Sequence, residues 1–216
     1  MTIENLLKSE SKFPEDIGLH DAETILQRMR KIFLYGGVSE ESAKKVIAQL
    51  LALEIIGENV EFEQIDDSEE LAVKPTINYK PIQLLISTCG GSIDDMLSIY
   101  DTIRIIRDHC EIHTFGLGKV KSAGVLLLAS GTKGARKVAK NCRIMIHSPY
   151  AEQEGDIHQL VSAVDELKRV NEKYIDLMCN ETELTTDQLN KILGKKLDVY
   201  LTAEQAIEYG IADIIV

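Results

Sequence analysis

Apolar positions along the chain follow two spacings, one typical of buried strands and one typical of amphipathic helices. Apolar runs of strand length stand at 31–35, 82–87, 112–115 and 199–201, with two strand-like pieces within 138–147 and a last one at 214–216. Between them, apolar residues recur every three or four positions and predict helices at 39–50, 92–103, 122–130, 157–178, 187–193 and 203–209. This alternation predicts an α/β fold with a mainly parallel sheet and right-handed crossovers.

The segment 54–81 interrupts the alternation. Eight acidic residues fall between Glu54 and Glu70 with no Lys or Arg among them, and Pro75 and Pro81 follow. Such a stretch is typical of an exposed loop. We therefore predict a solvated acidic insertion between a helix and the next strand, and a dedicated binding loop is the alternative.

Composition narrows the classes of function. The 216 residues include 24 basic and 35 acidic side chains, for a formal net charge of −11, and no basic patch suggests a nucleic-acid partner. Neither a membrane-spanning run nor a signal peptide is evident. The four cysteines form no CxxC pair, and the histidines lack metal-ligand spacing. We therefore expect no metal, no membrane and a reducing cytoplasm.

Candidate chemistry centres on Ser122, which stands between a turn and an apolar helix. A helix N-terminus offers free backbone N–H groups and the positive end of the helix dipole, and both can stabilise a developing oxyanion. Gly118 and Gly124 flank the serine and allow tight turning and close approach of a substrate. On this motif alone, a simple helix-capping role for Ser122 is the better explanation.

Two further segments contain partners for a nucleophilic serine. His147 ends an apolar strand and is delivered to a sheet edge, where active sites of α/β proteins lie. A histidine there can accept the serine proton, although a structural histidine is the alternative. The Gly90-Gly91 turn leads from a strand into a helix, and a free N–H of that turn can complete an oxyanion hole. The turn matches neither the dinucleotide-binding nor the P-loop pattern.

Taken in order, these segments resemble the proteolytic subunit of Clp protease (ClpP). The matching blocks are 32–37 with 46–54, the turn 89–92 with 98–102, the nearly continuous run 122–149 and the tail 201–213. The resemblance covers about residues 31–216. It implies a ClpP/crotonase-type α/β fold of stacked βαβ units with a protruding handle helix.

The resemblance also implies a domain organisation and a site. Residues 1–30 would be a lead-in segment, and residues 31–216 the peptidase domain, with the acidic insertion at 54–81 and the handle region at 150–180. By resemblance, Ser122 is the nucleophile and His147 the general base. The oxyanion donors would be the N–H groups of Gly91 and Ala123.

The implied activity is that of a serine endopeptidase that cleaves unfolded proteins or peptides through an acyl-enzyme inside an oligomeric chamber. The implied assembly is a homo-oligomer, a heptameric ring or double ring, with an AAA+ unfoldase as a partner. ATP would be used only by that partner, so no cofactor is expected on the chain itself. Residues 1–30 do not resemble the family's axial loops, so docking to an unfoldase follows from the family alone.

The third member of the expected triad departs from the family pattern. The position of the usual Asp falls on Gly194, which has no side chain. Asp198, just before Val199, resembles the acid that phage-type members of the superfamily place there. We assign Asp198 as the residue that orients His147. The alternative is a plain loop-terminal Asp, with water or a backbone carbonyl holding the imidazole.

Other departures leave alternatives open. Lys119 and Lys121 stand where the family has small or apolar residues; we interpret them as exposed flanking charges, and a Ser-Lys dyad is the alternative. Cys89 replaces a proline of the glycine turn, and we disfavour it as a nucleophile. The stretch between Pro149 and Asp156 is shorter than the family's handle strand, which argues less for a double ring than for a single one.

Three alternative functions remain open from the sequence. The missing Asp at position 194 is compatible with a catalytically weak ring subunit or scaffold. A phage-type capsid maturation peptidase would use the same chemistry on another substrate. A crotonase-like acyl-CoA enzyme shares the implied fold, but the Ser122 and His147 pair has no evident purpose there.

Overall fold

The computed structural model describes residues 19–65, 72–150, 152, 154–195 and 197–216. Its strands are β1 (Lys31–Val38), β2 (Glu58–Ile65), β3 (Ala72–Tyr79), β4 (Ile82–Gly91), β5 (Ile112–Lys121), β6 (Lys137–Val138), β7 (Arg143–Ile146), β8 (Val199–Leu201) and β9 (Ile214–Ile215). Its helices are α1 (Leu19–Arg28), α2 (Glu40–Ile55), α3 (Ile93–Arg107), α4 (Ala123–Ala129), α5 (Ile157–Glu181), α6 (Thr186–Leu193) and α7 (Ala203–Glu208). The predicted α/β class is confirmed. Most of the predicted lead-in segment, residues 1–18, lies outside the described residues.

A seven-stranded sheet organises the described part of the chain. Its order is β1-β4-β5-β6-β9, and β7 and β8 extend from the far end of β5. All of these pairings are parallel except that of β7 with β8. Strand β5 pairs with β6 through Phe115 and Gly116 and with β7 through its last three residues. The carboxyl ends of β4, β5 and β7 therefore lie close together, where a site can form.

The core lies between one face of the sheet and helices α2 to α4. In β1, Ile32 and Leu34 are buried whereas Phe33 and Tyr35 are exposed, which is the alternation of a sheet covered on one face. Every residue of α4 is buried. A helix that is apolar all round belongs inside a core, so α4 holds a fixed position against the sheet.

Helix starts follow the capping residues that the sequence provides. Ser39 accepts a hydrogen bond from the N–H of Ser42 and begins α2 with Glu40 and Glu41 in its first turn. Asp156 begins α5 by accepting from the N–H groups two and three residues on. These caps satisfy backbone N–H groups that a helix terminus otherwise leaves without an acceptor.

The prediction of a loop is wrong for residues 58–65 and 72–79 within the segment 54–81, because they form strands β2 and β3. Strands β2 and β3 pair antiparallel there, from Glu58 opposite Tyr79 to Ile65 opposite Ala72. The stretch from 58 to 65 alternates acidic or amide residues with Val60 and Phe62, which is a strand period of two. The density of acidic residues concealed this period.

Helix α5 matches the predicted handle. Its C-terminal half is buried at Tyr174, Leu177 and Met178, whereas Ile157 and Val161 near its start are exposed. One half of the helix is therefore anchored in the domain and the other half protrudes. No helix within the described ranges has the length and apolarity needed to cross a membrane.

Two ionic clusters fasten α5 and the C-terminal segment to the core. Glu181, 1% exposed, accepts hydrogen bonds from Tyr100 Oη at 2.8 Å and from Arg107 Nη1 at 2.8 Å. Arg136, 3% exposed, makes a two-pronged contact with Asp213, Nε to Oδ2 at 2.9 Å and Nη2 to Oδ1 at 2.6 Å. Each buried charge thus has a partner, as burial requires.

Candidate active site

Ser122 occupies a tight turn between β5 and α4. Its φ of 53° and ψ of −122° place a non-glycine residue in a region that L side chains rarely adopt. The Ser122 N–H donates to Met145 O at 2.8 Å, which fixes the turn to β7. Its hydroxyl makes no capping hydrogen bond to α4. The simple capping role therefore fails, and the strain, typically about 1–3 kcal/mol, is of a kind that clusters at functional sites.

His147 directly follows β7 and meets the serine hydroxyl. The register pairs Lys121 with Met145, so the residues that follow β5 and β7 emerge side by side. His147 Nε2 lies 2.8 Å from Ser122 Oγ. This distance is within the range in which a base can accept a proton from a nucleophile. The structure thus brings together two residues that stand 25 positions apart in the chain.

The glycine turn at the end of β4 packs directly against Ser122. Gly90 has φ of 91°, and a Cβ placed there would lie 2.6 Å from Ser122 Cβ. Only glycine fits this position, because any side chain would displace the serine. Thr88 Oγ1 accepts the N–H of Gly90 at 3.0 Å and holds the turn in place.

The two backbone positions predicted as oxyanion donors flank the serine. Ala123 is the first residue of α4, where helical N–H groups have no partner within the helix. Gly91 lies beyond Thr88, whose pairing with Val120 is the last between β4 and β5. The N–H groups of Ala123 and Gly91 therefore belong to the same end of the sheet as Ser122, and their role stays a prediction.

Asp198 approaches His147 without forming a hydrogen bond. Strand β8 pairs Val199 with Ile146, so Asp198 lies opposite His147. Asp198 Oδ1 is 3.8 Å from His147 Nδ1, which exceeds the hydrogen-bond range of about 2.7–3.2 Å. Its side chain is 51% exposed. Gly194 ends α6 and contributes no side chain. The orienting role of Asp198 stays a prediction.

The alternative nucleophile and base do not meet in this site. Lys121 Nζ lies over the ring of Tyr200, 5.4 Å from its centroid, whereas the hydrogen-bond partner of Ser122 Oγ is the His147 imidazole. Cys89 is an exposed free thiol in the strand before the glycine turn. Geometry therefore favours the serine and histidine over a Ser-Lys dyad or a cysteine nucleophile.

A cavity opens beside the histidine. It has a volume of about 400 Å³ and lies between the segment after His147, the middle of α5 and the end of α6. Its walls are formed by Ser148, Pro149, Val164, Leu167, Lys168, Asn171, Glu172, Asn190, Leu193 and Gly194. Sequence reasoning did not identify this cavity, because helices remote in the chain form it.

The described ranges contain His, Cys, Asp and Glu side chains, the residue types that most often ligate a metal. Within those ranges, no group of three or more His, Cys, Asp or Glu side chains is arranged to hold a metal ion. The chemical groups that meet in this site are the Ser122 hydroxyl and the His147 imidazole.

Comparisons with known proteins agree with this geometry. A family model described as Clp protease matches residues 69–216. ATP-dependent Clp protease proteolytic subunit 1 of Borreliella burgdorferi is 33% identical over 195 residues, which cover 90% of this chain and 88% of that protein. Subunit 1 of Prochlorococcus marinus subsp. pastoris is 33% identical over 196 residues, which cover 90% of this chain and 87% of that protein. Subunit 4 of Rhodococcus jostii is 34% identical over 187 residues, covering 87% and 84%.

These matches favour neither the scaffold nor the capsid maturation alternative. They span the strands, the glycine turn and the serine and histidine whose contact the structure describes. The chain therefore belongs to the Clp protease family and is a serine-type endopeptidase of the Clp type.

Proposed function

We propose that Ser122 and His147 carry the peptidase chemistry and that the substrate is an unfolded protein or a peptide. Ser122 Oγ attacks the carbonyl carbon of the scissile bond while His147 Nε2 accepts the hydroxyl proton. The imidazolium then donates that proton to the leaving amine, and an acyl-enzyme remains. Water attacks the ester by the same route in reverse, releasing the acid product and the free serine. No cofactor or metal enters these steps.

The single observation that supports this proposal most strongly is the 2.8 Å contact between His147 Nε2 and Ser122 Oγ. The serine is held there in a strained backbone conformation and caps nothing. A structural serine at a helix start would instead bond a backbone N–H of the first turn. A strained backbone, together with a hydroxyl that faces an imidazole and does not cap the helix, is expected of a nucleophile.

The N–H groups of Gly91 and Ala123 are proposed to bind the oxyanion. Negative charge develops on the carbonyl oxygen during attack, and preorganised N–H donors stabilise it. Ala123 contributes the positive end of α4, which is buried along its whole length. Gly90 allows the turn to touch Ser122, and Gly91 is the next residue of that turn.

Asp198 is proposed to orient the imidazole from its Nδ1 side. Support comes from the β7–β8 register, which lines the acid up with His147, and from the 3.8 Å approach of the two side chains. A modest closing movement would convert this approach into a hydrogen bond. The carboxylate would then stabilise the imidazolium formed during attack.

The cavity beside His147 is proposed to receive a substrate side chain. Pro149, Val164, Leu167 and Leu193 give it apolar walls, and its amide and charged groups lie around them. Small-molecule and side-chain pockets typically combine an apolar lining with a few polar groups. An apolar residue next to the scissile bond is therefore the expected preference.

The chain is proposed to act as a homo-oligomer, a ring or double ring, with an AAA+ unfoldase as the ATP-using partner in the cytoplasm. Parallel sheets are normally covered on both faces, yet Phe33 and Tyr35 stack on each other on an exposed face. The protruding half of α5 also exposes Ile157, Val161 and Val164. Sedimentation of the pure protein as a monomer across micromolar concentrations would contradict this assembly.

Hydrolysis by the purified protein tests the central proposal. We expect the wild type to cleave casein or a short fluorogenic peptide, and Ser122→Ala to lose at least about 10⁴-fold in kcat. Ser98→Ala is the matched control, since the Ser98 hydroxyl donates within α3, to Asp94 O at 2.9 Å. Equal activity of the wild type and Ser122→Ala would overturn the proposal.

A further inference from the structure

Tyr200 contacts Asp198 from the same strand. The two residues are two positions apart in or just before β8, so their side chains lie on one face of the sheet. Tyr200 Oη faces Asp198 Oδ2 at 3.5 Å, the outer limit of hydrogen-bond distance, with the phenol as the donor. Asp198 Oδ1 is the oxygen that faces His147. The tyrosine hydroxyl and the imidazole thus approach opposite oxygens of one carboxylate.

Two cations fix the ring of Tyr200. Arg143 Cζ lies 5.1 Å and Lys121 Nζ 5.4 Å from the ring centroid, within the distance of about 6 Å typical of cation–π contacts. The register pairs Lys121 with Met145 and Met145 with Tyr200, so strands β5, β7 and β8 all contribute to this arrangement. The ring is tethered to the strands that precede Ser122 and His147.

Asp198 has little else to hold it. It is 51% exposed, and within the described ranges the Tyr200 hydroxyl is its hydrogen-bond donor. Gly194, at the position where the family carries its usual acid, provides no carboxylate. An exposed carboxylate with no tether would rotate into solvent, where its interaction with the imidazole is weak.

We propose that Tyr200 is a positioning residue that keeps the Asp198 carboxylate directed at His147. This inference rests on the orienting role of Asp198 proposed above. The hydroxyl holds Oδ2, which leaves Oδ1 on the side of Nδ1, and the two cations keep the hydroxyl in place. The effect appears when charge forms on the imidazole, so it lowers the barrier to acylation and leaves substrate binding unchanged.

The test compares Tyr200→Phe with the wild type in the assembled full-length protein. The variant keeps the ring and its cation contacts and loses only the hydroxyl. With a short fluorogenic peptide, we expect kcat to fall about five-fold with KM unchanged. Ser98→Ala is the matched control, because it removes an exposed hydroxyl that donates to Asp94 O within α3, and its kcat should equal that of the wild type.

A double-mutant cycle then shows whether Tyr200 acts through Asp198. In an Asp198→Asn background, Tyr200→Phe should lower kcat no further, because the negative carboxylate that it positions is gone. Arg143→Met should lower kcat by less than Tyr200→Phe, since it loosens the ring but keeps the hydroxyl. Melting temperatures of all variants should agree with the wild type.

Each other outcome overturns the inference. Wild-type kcat in Tyr200→Phe would exclude positioning, a rise in KM alone would indicate substrate contact, and an equal loss in the Asp198→Asn background would indicate a structural role. Wild-type activity of Asp198→Asn would overturn both this inference and the role of Asp198. The proposal for Ser122 and His147 would survive that result, because Ser122→Ala tests it separately.

Discussion

Two aspartates near the C-terminus show how differently this fold holds its carboxylates. Asp213 accepts hydrogen bonds from the Arg136 guanidinium at 2.6 and 2.9 Å and from the N–H groups of Gly134 and Arg136 at 2.7 and 3.0 Å. Among the described residues, Asp198 has one donor, the Tyr200 hydroxyl at 3.5 Å, and it faces His147 at 3.8 Å. The structural carboxylate is fully satisfied, whereas the candidate catalytic one is held loosely.

The difference between Asp213 and Asp198 shows that some parts of this domain are held in place before substrate binds, whereas others are not. The contact of Ser122 with His147 is formed at hydrogen-bond distance, and Gly90 leaves no room for the serine to move toward β4. Asp198, the third member of the site, is not packed in this way, and it is approached by Tyr200 Oη at 3.5 Å. We therefore expect Asp213 to matter for stability and Asp198 for rate, and each prediction below tests one side of that contrast.

The largest expected effect on stability follows loss of the Asp213 carboxylate. Asp213→Asn would leave the buried Arg136 guanidinium without its counter-charge, at a cost of about 3 kcal/mol. For a domain of this size, that corresponds to a fall in melting temperature of roughly 6–12 °C by calorimetry. Asp165→Asn, which breaks an exposed pair with Lys168, is the matched control and should change it by less than about 2 °C. Equal shifts in the two variants would contradict the contrast.

The contribution of Asp213 to folding stability should also fall as the pH is lowered. Burial opposes its ionisation, but hydrogen bonds from the Arg136 side chain and backbone outweigh burial and hold the pKa of Asp213 below its ordinary value. A depressed folded-state pKa gives stability that is present above the unfolded pKa of about 3.9 and is lost as the pH falls toward the folded value. Urea midpoints of wild type and Asp213→Asn should converge below about pH 4. A constant difference down to pH 3 would be inconsistent with this linkage.

Asp198→Asn is expected to change a smaller free energy than Asp213→Asn does, and to change only the rate of peptide hydrolysis. Because the acid lies 3.8 Å from His147 Nδ1, we expect kcat to fall about 10- to 100-fold, or about 1.4–2.8 kcal/mol, with an unchanged melting temperature. Peptide hydrolysis and calorimetry on one preparation measure both quantities. A loss of about 10⁴-fold would mean that the working enzyme holds the acid as tightly as Asp213 is held. If Asp198→Asn lowered the melting temperature and left kcat unchanged, Asp198 would be a structural residue, which contradicts the contrast with Asp213.

Sequence patterns predicted the central sheet because its strands and helices are separated by clear changes in period. The buried strand 82–87 and the all-apolar helix after Ser122 illustrate this, since each has a period that the core requires. Hairpin β2–β3 was missed because charge density hid a period of two. A sequence pattern therefore indicates whether an element is a helix or a strand where its buried apolar residues stand out, and it fails where many charged residues hide their spacing.

Within the site, the sequence predicted the residues better than their contacts. Ser122 and His147 emerge from adjacent parallel strands, which a correct strand assignment implies. The positive φ of Ser122 and the gap at Asp198 depend on how three strands align, and no local pattern encodes that alignment. Tyr200 was overlooked, although its place two residues after Asp198 on a strand is the signal that could have revealed it.

Covalent labelling tests the central claim most directly. The wild-type protein, its Ser122→Ala variant and its His147→Ala variant are treated with a fluorophosphonate, and the modified peptide is identified by mass spectrometry. We predict one adduct on Ser122 in the wild type, none in Ser122→Ala, and labelling at least about 100-fold slower in His147→Ala because the hydroxyl loses its base. An adduct on another residue, or His147→Ala labelled as fast as the wild type, would contradict the account.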